Sequence, residues 1–115
     1  MPTYRIWVAG DSYLPAVPIG DTMRASGIGR VIESTSADFA KGDLVTGLLG
    51  AQTVATADAG SIRKLPELPN NEVYLHVLGV NGLTAYFGMM DCGKPKTGET
   101  LVVSTAAGSV GSIVV

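Results

Sequence analysis

The C-terminal stretch places the tightest constraint on what this chain can fold into. Thr100-Leu101-Val102-Val103-Ser104 is a short apolar run, the pattern of a strand buried on both faces. It leads directly into Ala106-Ala107-Gly108-Ser109-Val110-Gly111, and Ser112 to Val115 then opens a helix. Strand, glycine-containing turn and helix is the entry to an α/β unit. A buried parallel strand needs neighbours for its backbone hydrogen bonds and cover on both faces. The sequence is therefore expected to be an internal fragment of a longer chain, cut just after this turn.

The turn reads Ala106-x-Gly108-x-x-Gly111. The dinucleotide signature is Gly-x-Gly-x-x-Gly between a strand and a helix, so its first glycine is alanine here. Gly108 would let backbone approach a pyrophosphate, and Gly111 would let the helix lie close to the strand. Backbone N–H groups of the first helical turn would face phosphate oxygens. The motif is short enough that a purely structural turn stays open. A second polar cluster is Val80-Asn81-Gly82-Leu83-Thr84-Ala85-Tyr86. Asn81 suits a helix cap and Thr84 the first turn, and both side chains offer polar contacts to a cofactor. Helix capping alone explains them equally well.

Upstream, the pattern changes. Pro2, Pro15 and Pro18 with Gly10 and Gly20 make the first twenty residues irregular, with a brief extended piece at Tyr4 to Val8. Strands are expected within Thr22–Thr35 (with close backbone packing or a bulge at its glycines), at Leu44–Leu49, Gln52–Thr56 and Ser61–Leu65, the last ended by Pro66. Lys41-Gly42-Asp43 is a turn. Several short strands between glycine turns point to a barrel or sandwich. Glu72 to Leu78 has room for a helical turn or two. From Asn81, Leu83, Tyr86, Phe87 and Met90 recur at helical spacing, which predicts an amphipathic helix closed near Gly93.

Composition narrows the function classes. The 115 residues are 46% hydrophobic and 16% charged, with eight basic against ten acidic side chains. That is a globular composition without a basic stripe, which disfavours nucleic acid as a partner. No apolar run approaches a membrane span. Cys92 is the lone cysteine, so no internal disulfide forms, and a cytoplasmic setting is expected. A catalytic zinc normally takes three protein ligands, and His76 and Cys92 sit in no recognisable ligand motif. His76 reads as structural and Cys92 as a packed thiol. Neither a Gly-x-Ser-x-Gly elbow nor a complete phosphate loop occurs, which leaves hydrolase readings without support.

As a set, several stretches resemble the zinc-independent medium-chain dehydrogenase/reductases, in particular the NADP-dependent alkenal reductase or prostaglandin reductase family. They are Ser12-Tyr13-Leu14-Pro15, Ile19 to Arg24, Gly29 to Ser34, Gly42 to Gly47, Asn81 to Gly88 and Gly98 to Gly111, in family order. The resemblance implies a mainly β, GroES-like partial barrel followed by a helix and the first β-turn-α piece of a Rossmann fold. It divides the chain into a partial GroES-like catalytic domain (1–78), a connecting helix and turn (79–98), and a truncated nucleotide-binding start (99–115). It implies a parent that reduces the carbon–carbon double bond of unsaturated aldehydes and ketones with NADPH (or NADH), without zinc. It assigns Gly108, Ser109, Val110 and Gly111 to the pyrophosphate turn, and Thr84 to the neighbourhood of the phosphates. Val80 and Asn81 fall to the nicotinamide end and Tyr13 to the substrate pocket. Arg24 is an ion partner rather than a catalytic group. Small enals or enones are the implied substrates, and a homo-oligomer is left open.

This chain departs from the family at Gly50-Ala51-Gln52-Thr53-Val54, where Trp and Tyr are usual in place of Ala51 and Val54. It also has Gly20-Asp21-Thr22 where the zinc branch has Gly-His-Glu. A zinc-free quinone reductase of the same superfamily shares the turn and the Thr84-Ala85 region. From another class, the 115 residues alone would be a noncatalytic structural or interaction fragment, since catalysis needs a nicotinamide held in reacting geometry. Unpaired sheet edges would then favour self-association.

Overall fold

The computed structural model describes residues 15–115. The expectations at Tyr4–Val8 and Tyr13 lie outside the described residues. The described chain forms two compact units, one through Pro66 and one from Glu67 to Val115.

The first unit is an antiparallel meander of β1 (Gly27–Arg30), β2 (Leu44–Gly47) and β3 (Ile62–Lys64). Gly27 pairs with Gly47 and Arg30 with Leu44, while Val45 pairs with Lys64 and Gly47 with Ile62. The ladder continues past the strands through Val31 N–H to Asp43 O (3.0 Å) and Leu65 N–H to Leu44 O (2.9 Å). The Thr46 hydroxyl adds a bond to Gly27 O at 2.9 Å. β2 is the central strand, and its adjacent residues Leu44 and Val45 are both buried. Successive strand side chains point to opposite faces, so both faces of β2 are covered. Leu65 completes the apolar set. Pro66, which has no N–H to offer a ladder, follows Leu65 and ends the pairing.

Glycine sets the spacing. Gly27 and Gly29 share one face of β1, and a Cβ on either would lie 3.4 to 3.6 Å from the Leu49 side chain. The strand expected within Thr22–Thr35 is present as β1, and the Leu49 side chain lies at ordinary van der Waals distance beside its glycines. The Lys41-Gly42-Asp43 turn also forms, with Gly42 at φ +95°, a region that suits glycine. Gln52–Thr56 is not a strand. Gly50 turns at φ +75°, and Gln52 Nε2 donates back to Leu49 O at 2.6 Å. The segment is held as bends, with Val54 exposed. The described strands make an open sheet rather than a closed barrel.

One ion pair fastens the sheet. Lys64 Nζ lies 2.6 Å from Asp43 Oδ2 and 5.7 Å from the centroid of the Phe39 ring. The same carboxylate accepts Ala40 N–H at 2.7 Å. Lys64, then Ala40 N–H, holds the Asp43 carboxyl below its ordinary value of 3.8. Arg24 Nη1 donates to Pro15 O at 2.5 Å, so its described partner is a carbonyl rather than an ion.

The second unit starts with a 3₁₀ turn at Asn71–Tyr74, capped by Asn70 Oδ1 accepting Glu72 N–H at 2.9 Å. This matches the short helical piece expected there. Helix α1 (Val80–Phe87) passes into a π-type turn at Gly88–Gly93. The residue that takes the left-handed backbone is Lys94 (φ 47°), not Gly93. Pro95 follows and disfavours a right-handed helical backbone in the residue before it. Helix α2 (Gly111–Val114) lies against α1. The apolar stripe of α1 does not make a core: Leu83, Tyr86, Phe87 and Met90 remain more than half exposed, and Ala85 is buried instead.

The expected strand at Thr100–Ser104 does not form. The segment has no ladder partner among the described residues, and Val102 is 88% exposed. Its N–H and C=O groups have no strand to pair with among the described residues, and without such partners a strand is not held. The β-turn-α piece expected at 99–115 is therefore not formed among the described residues, where a turn and the short α2 stand without a strand.

Two outcomes are expected. A Cβ on Gly47 would lie 3.0 Å from Ser61 O, backbone that cannot swing aside. Gly47→Ala should cost about 1–3 kcal/mol by overpacking, whereas Gly60→Ala, with open space around it, should be near neutral in denaturant unfolding. The lowered Asp43 value makes its stabilisation present above pH 3.8 and lost as pH falls through the folded-state value. Asp43→Asn should therefore flatten the acid limb of stability against pH; an unchanged limb would contradict the clamp.

Candidate functional site

The sequence reading placed its cofactor residues on α1 and on the turn before α2. Among the described residues these two groups differ in what their polar atoms are doing.

On α1 the side chains are satisfied internally. Thr84 Oγ1 donates to Val80 O at 2.7 Å, a bond back along the helix. Asn81 Nδ2 donates to Leu75 O at 3.3 Å. Asn81 is not the N-cap: that position is Gly79, whose neighbour Tyr74 O would lie 2.6 Å from any Cβ. A side chain at position 79 has no room, so the cap expected of Asn81 is replaced by its tie to the preceding turn. Val80 is 70% exposed. Gly82 is buried against the Val77 carbonyl, where a Cβ would collide.

The turn is different. Gly108, Ser109, Val110 and Gly111 all line one open, largely apolar depression of about 460 Å³, with Leu101 to Thr105, Met89 and Val114. The structure thus brings together the four residues assigned to the pyrophosphate turn. Val80, Asn81 and Thr84 do not line it, although α1 and α2 are in contact. No lining side chain is charged.

The depression offers the hydroxyls of Ser104, Thr105 and Ser109 and, at the turn, backbone N–H groups. Gly108 N–H is held by Thr105 O at 2.8 Å, and Ser112 N–H by Gly108 O at 2.9 Å. Among the described residues, the N–H groups of Ser109, Val110 and Gly111 have no intramolecular acceptor. Successive free N–H groups form an anion-binding concavity. This donor set fits a pyrophosphate, and no part of the depression supplies the cationic side chain of a phosphate loop.

The glycines of the turn have a local cause that spacing did not reveal. Thr105 sits at φ 54°, an outlying conformation for a β-branched residue. Its carbonyl is thereby swung onto the turn. A Cβ on Gly108 would lie 3.0 Å from Thr105 Cγ2 and 3.1 Å from Thr105 O, and a Cβ on Gly111 would collide with Thr105 O. Gly111 was expected to make room for a strand; the group it accommodates is the Thr105 carbonyl. The one trace of Thr105 in the sequence is the pair of glycines that follow it at three and six residues.

His76 is exposed, with Nε2 3.5 Å from Ser112 Oγ. Cys92 is exposed, not packed, because the π-type turn that carries it buries none of its residues. No group of three metal-ligating side chains occurs among the described residues. No helix is long and apolar enough to cross a membrane among them.

Residues 1–65 match the family described as the N-terminal domain of oxidoreductase. The chain belongs to this family, within the zinc-independent medium-chain dehydrogenase/reductases that include NADP-dependent reductases. It is 44% identical over 104 residues to the NADPH-dependent curcumin reductase of Escherichia coli, a match covering 90% of this chain and 30% of that protein. It is 43% identical over 99 residues to mouse prostaglandin reductase 1, covering 83% of this chain and 30% of that protein. The crystal structure of CurA from Vibrio vulnificus in complex with NADPH superposes with a TM-score of 0.84 at 35% identity, covering 97% of this chain and 34% of that one. The chain therefore spans about a third of the length of these relatives.

Gly111→Ala should push the Thr105 carbonyl off the turn and destabilise the second unit by about 1–3 kcal/mol. Gly88→Ala, with nothing nearby, is the control and should be neutral or slightly stabilising. Equal unfolding midpoints for the two variants would contradict the close approach at Gly111.

Proposed function

We propose that the protein to which these residues belong is an NADPH-dependent reductase of the carbon–carbon double bond of α,β-unsaturated aldehydes or ketones. The observation that carries this reading is the turn: three successive N–H groups at Ser109, Val110 and Gly111 without internal acceptors. It lies in a chain that superposes on an NADPH-bound reductase.

When bound, the reduced nicotinamide supplies the hydride. The residues of this chain bind and orient. Ser109, Val110 and Gly111 donate backbone N–H groups to pyrophosphate oxygens, which needs no charged side chain. Thr84 stands near the phosphates, and Val80 and Asn81 border the nicotinamide end. Tyr13 contributes to the substrate pocket. We read residues 1–78 as part of a GroES-like catalytic domain, 79–98 as a connection, and 99–115 as the start of the Rossmann domain. The reaction is placed in the cytoplasm and without zinc. Curcumin and prostaglandin reductases among the relatives support a conjugated carbonyl as the substrate class.

NADPH oxidation should depend on an added enal or enone. Oxidation supported by quinones but by neither of those would transfer the reading to the quinone reductases. NADPH should shift the amide resonances of Ser109 to Gly111, and Gly108→Val should weaken NADPH binding about tenfold or more. Unchanged resonances with measurable NADPH binding would place the pyrophosphate elsewhere.

A further inference from the structure

Asn81 and Gly82, at the start of α1, form a chemically reactive pair. Of the three asparagines, Asn70, Asn71 and Asn81, only the last is followed by glycine. The side-chain amide of an asparagine is open to attack by the backbone nitrogen of the next residue, which closes a five-membered imide. A glycine in that place has no Cβ to obstruct the approach and the widest backbone freedom to make it. The reaction needs a Gly82 nitrogen free to lose its proton and an Asn81 side chain free to turn toward it.

The structure withholds both, and by slender means. Gly82 N–H donates to His76 O at 3.2 Å, and Asn81 Nδ2 donates to Leu75 O at 3.3 Å. Both bonds lie at the long end of the hydrogen-bond range. Gly82 is buried with Val77 O where a Cβ would stand, which leaves its backbone little room to turn while α1 is seated. The seat itself is shallow. Gly79 at the N-cap brings no side-chain cap, and the first turn has no acidic residue. Val80 and Leu83 are more than half exposed. A helix end held this way opens locally at low cost.

We propose that Asn81-Gly82 is a site of spontaneous deamidation guarded by these contacts, so that each opening of the α1 entry exposes it to irreversible conversion. In the opened chain, Gly82 N gives its proton to water and bonds to Asn81 Cγ. The bond from Cγ to Nδ2 breaks and ammonia leaves. Water then opens the imide at either carbonyl, giving aspartate or isoaspartate; nothing is oxidised or reduced, and no step needs the cofactor. Both products carry a carboxylate in place of the amide, and a carboxylate cannot donate to Leu75 O. Isoaspartate also adds a carbon to the main chain, directly ahead of a glycine with no slack against Val77. Conversion therefore removes the tie that guarded the site.

The test follows the 115-residue chain in buffer and in urea that unfolds it, by intact mass and by peptide mapping for aspartate and isoaspartate. In urea, Asn81 should convert well ahead of Asn70 and Asn71; equal rates at the three would overturn the site. In buffer, conversion at Asn81 should be at least about tenfold slower than in urea, as expected if a tenth of the molecules or fewer are open. Equal rates in the two solvents would overturn the guard. Leu83→Gly, at an exposed helical position, should speed conversion in buffer about threefold by its lower helix propensity and leave the rate in urea unchanged. No change in buffer would overturn gating by α1. If this variant unfolds outright, its buffer rate rises to the urea rate, and the ratio in the parent chain decides. The converted chain, separated by its added negative charge, should exchange the Gly82 amide about fivefold faster, the worth of one lost hydrogen bond. Equal exchange would overturn the loss of the tie.

Discussion

Every backbone N–H and C=O must find a partner in the protein or in water, and this requirement organises the structure. β2 meets it on both edges. Leu44 to Gly47 bonds to β1 on one side and β3 on the other, and only then can Leu44 and Val45 both be buried. The Asp43–Lys64 pair, the Gly42 turn and the bond from Leu65 to Leu44 O all lie at the ends of that ladder. Leu101 to Val103 has an equally apolar sequence and no ladder, so the same residue types stay out of a sheet. Hydrophobicity decides what a strand gains by burial; pairing decides whether it can be buried at all.

The second unit shows the energetic counterpart. Fully burying a large apolar side chain yields about 1.5–3 kcal/mol, and Leu83, Tyr86, Phe87 and Met90 forgo much of it. Its order comes from local closures instead: the Asn70 cap, the Asn81 tie to Leu75, and backbone carbonyls set against Gly79, Gly82 and Gly111. A unit held by such contacts opens more readily than one held by a core.

Legibility in the sequence followed the range of the interactions. Features with a local signature were readable: the Gly42 turn, the stop at Pro66, β2 from its apolar run, and helix α1 from its 3.6-residue spacing. The ordered motifs also sufficed to place the chain in its family. Features set by distant or missing neighbours were not readable. The stripe on α1 looked like a core face because periodicity reports a face, not what covers it. Thr100–Ser104 looked like a strand because its pattern assumes pairing. Gln52–Thr56 was lost to the Gly50 turn. Within the site, the glycines were visible while their reason was not, since no propensity leads one to expect a β-branched residue at positive φ.

The glycines of β1 carry a consequence for how this sheet can vary. Gly27 and Gly29 are spaced so that Leu49 lies directly across the strand. The three positions share one volume. A methyl group at 27 or 29 would meet Leu49 at ordinary van der Waals distance, so alanine is tolerated there, whereas a larger side chain would compete with residue 49 for the same volume and call for a smaller one in its place.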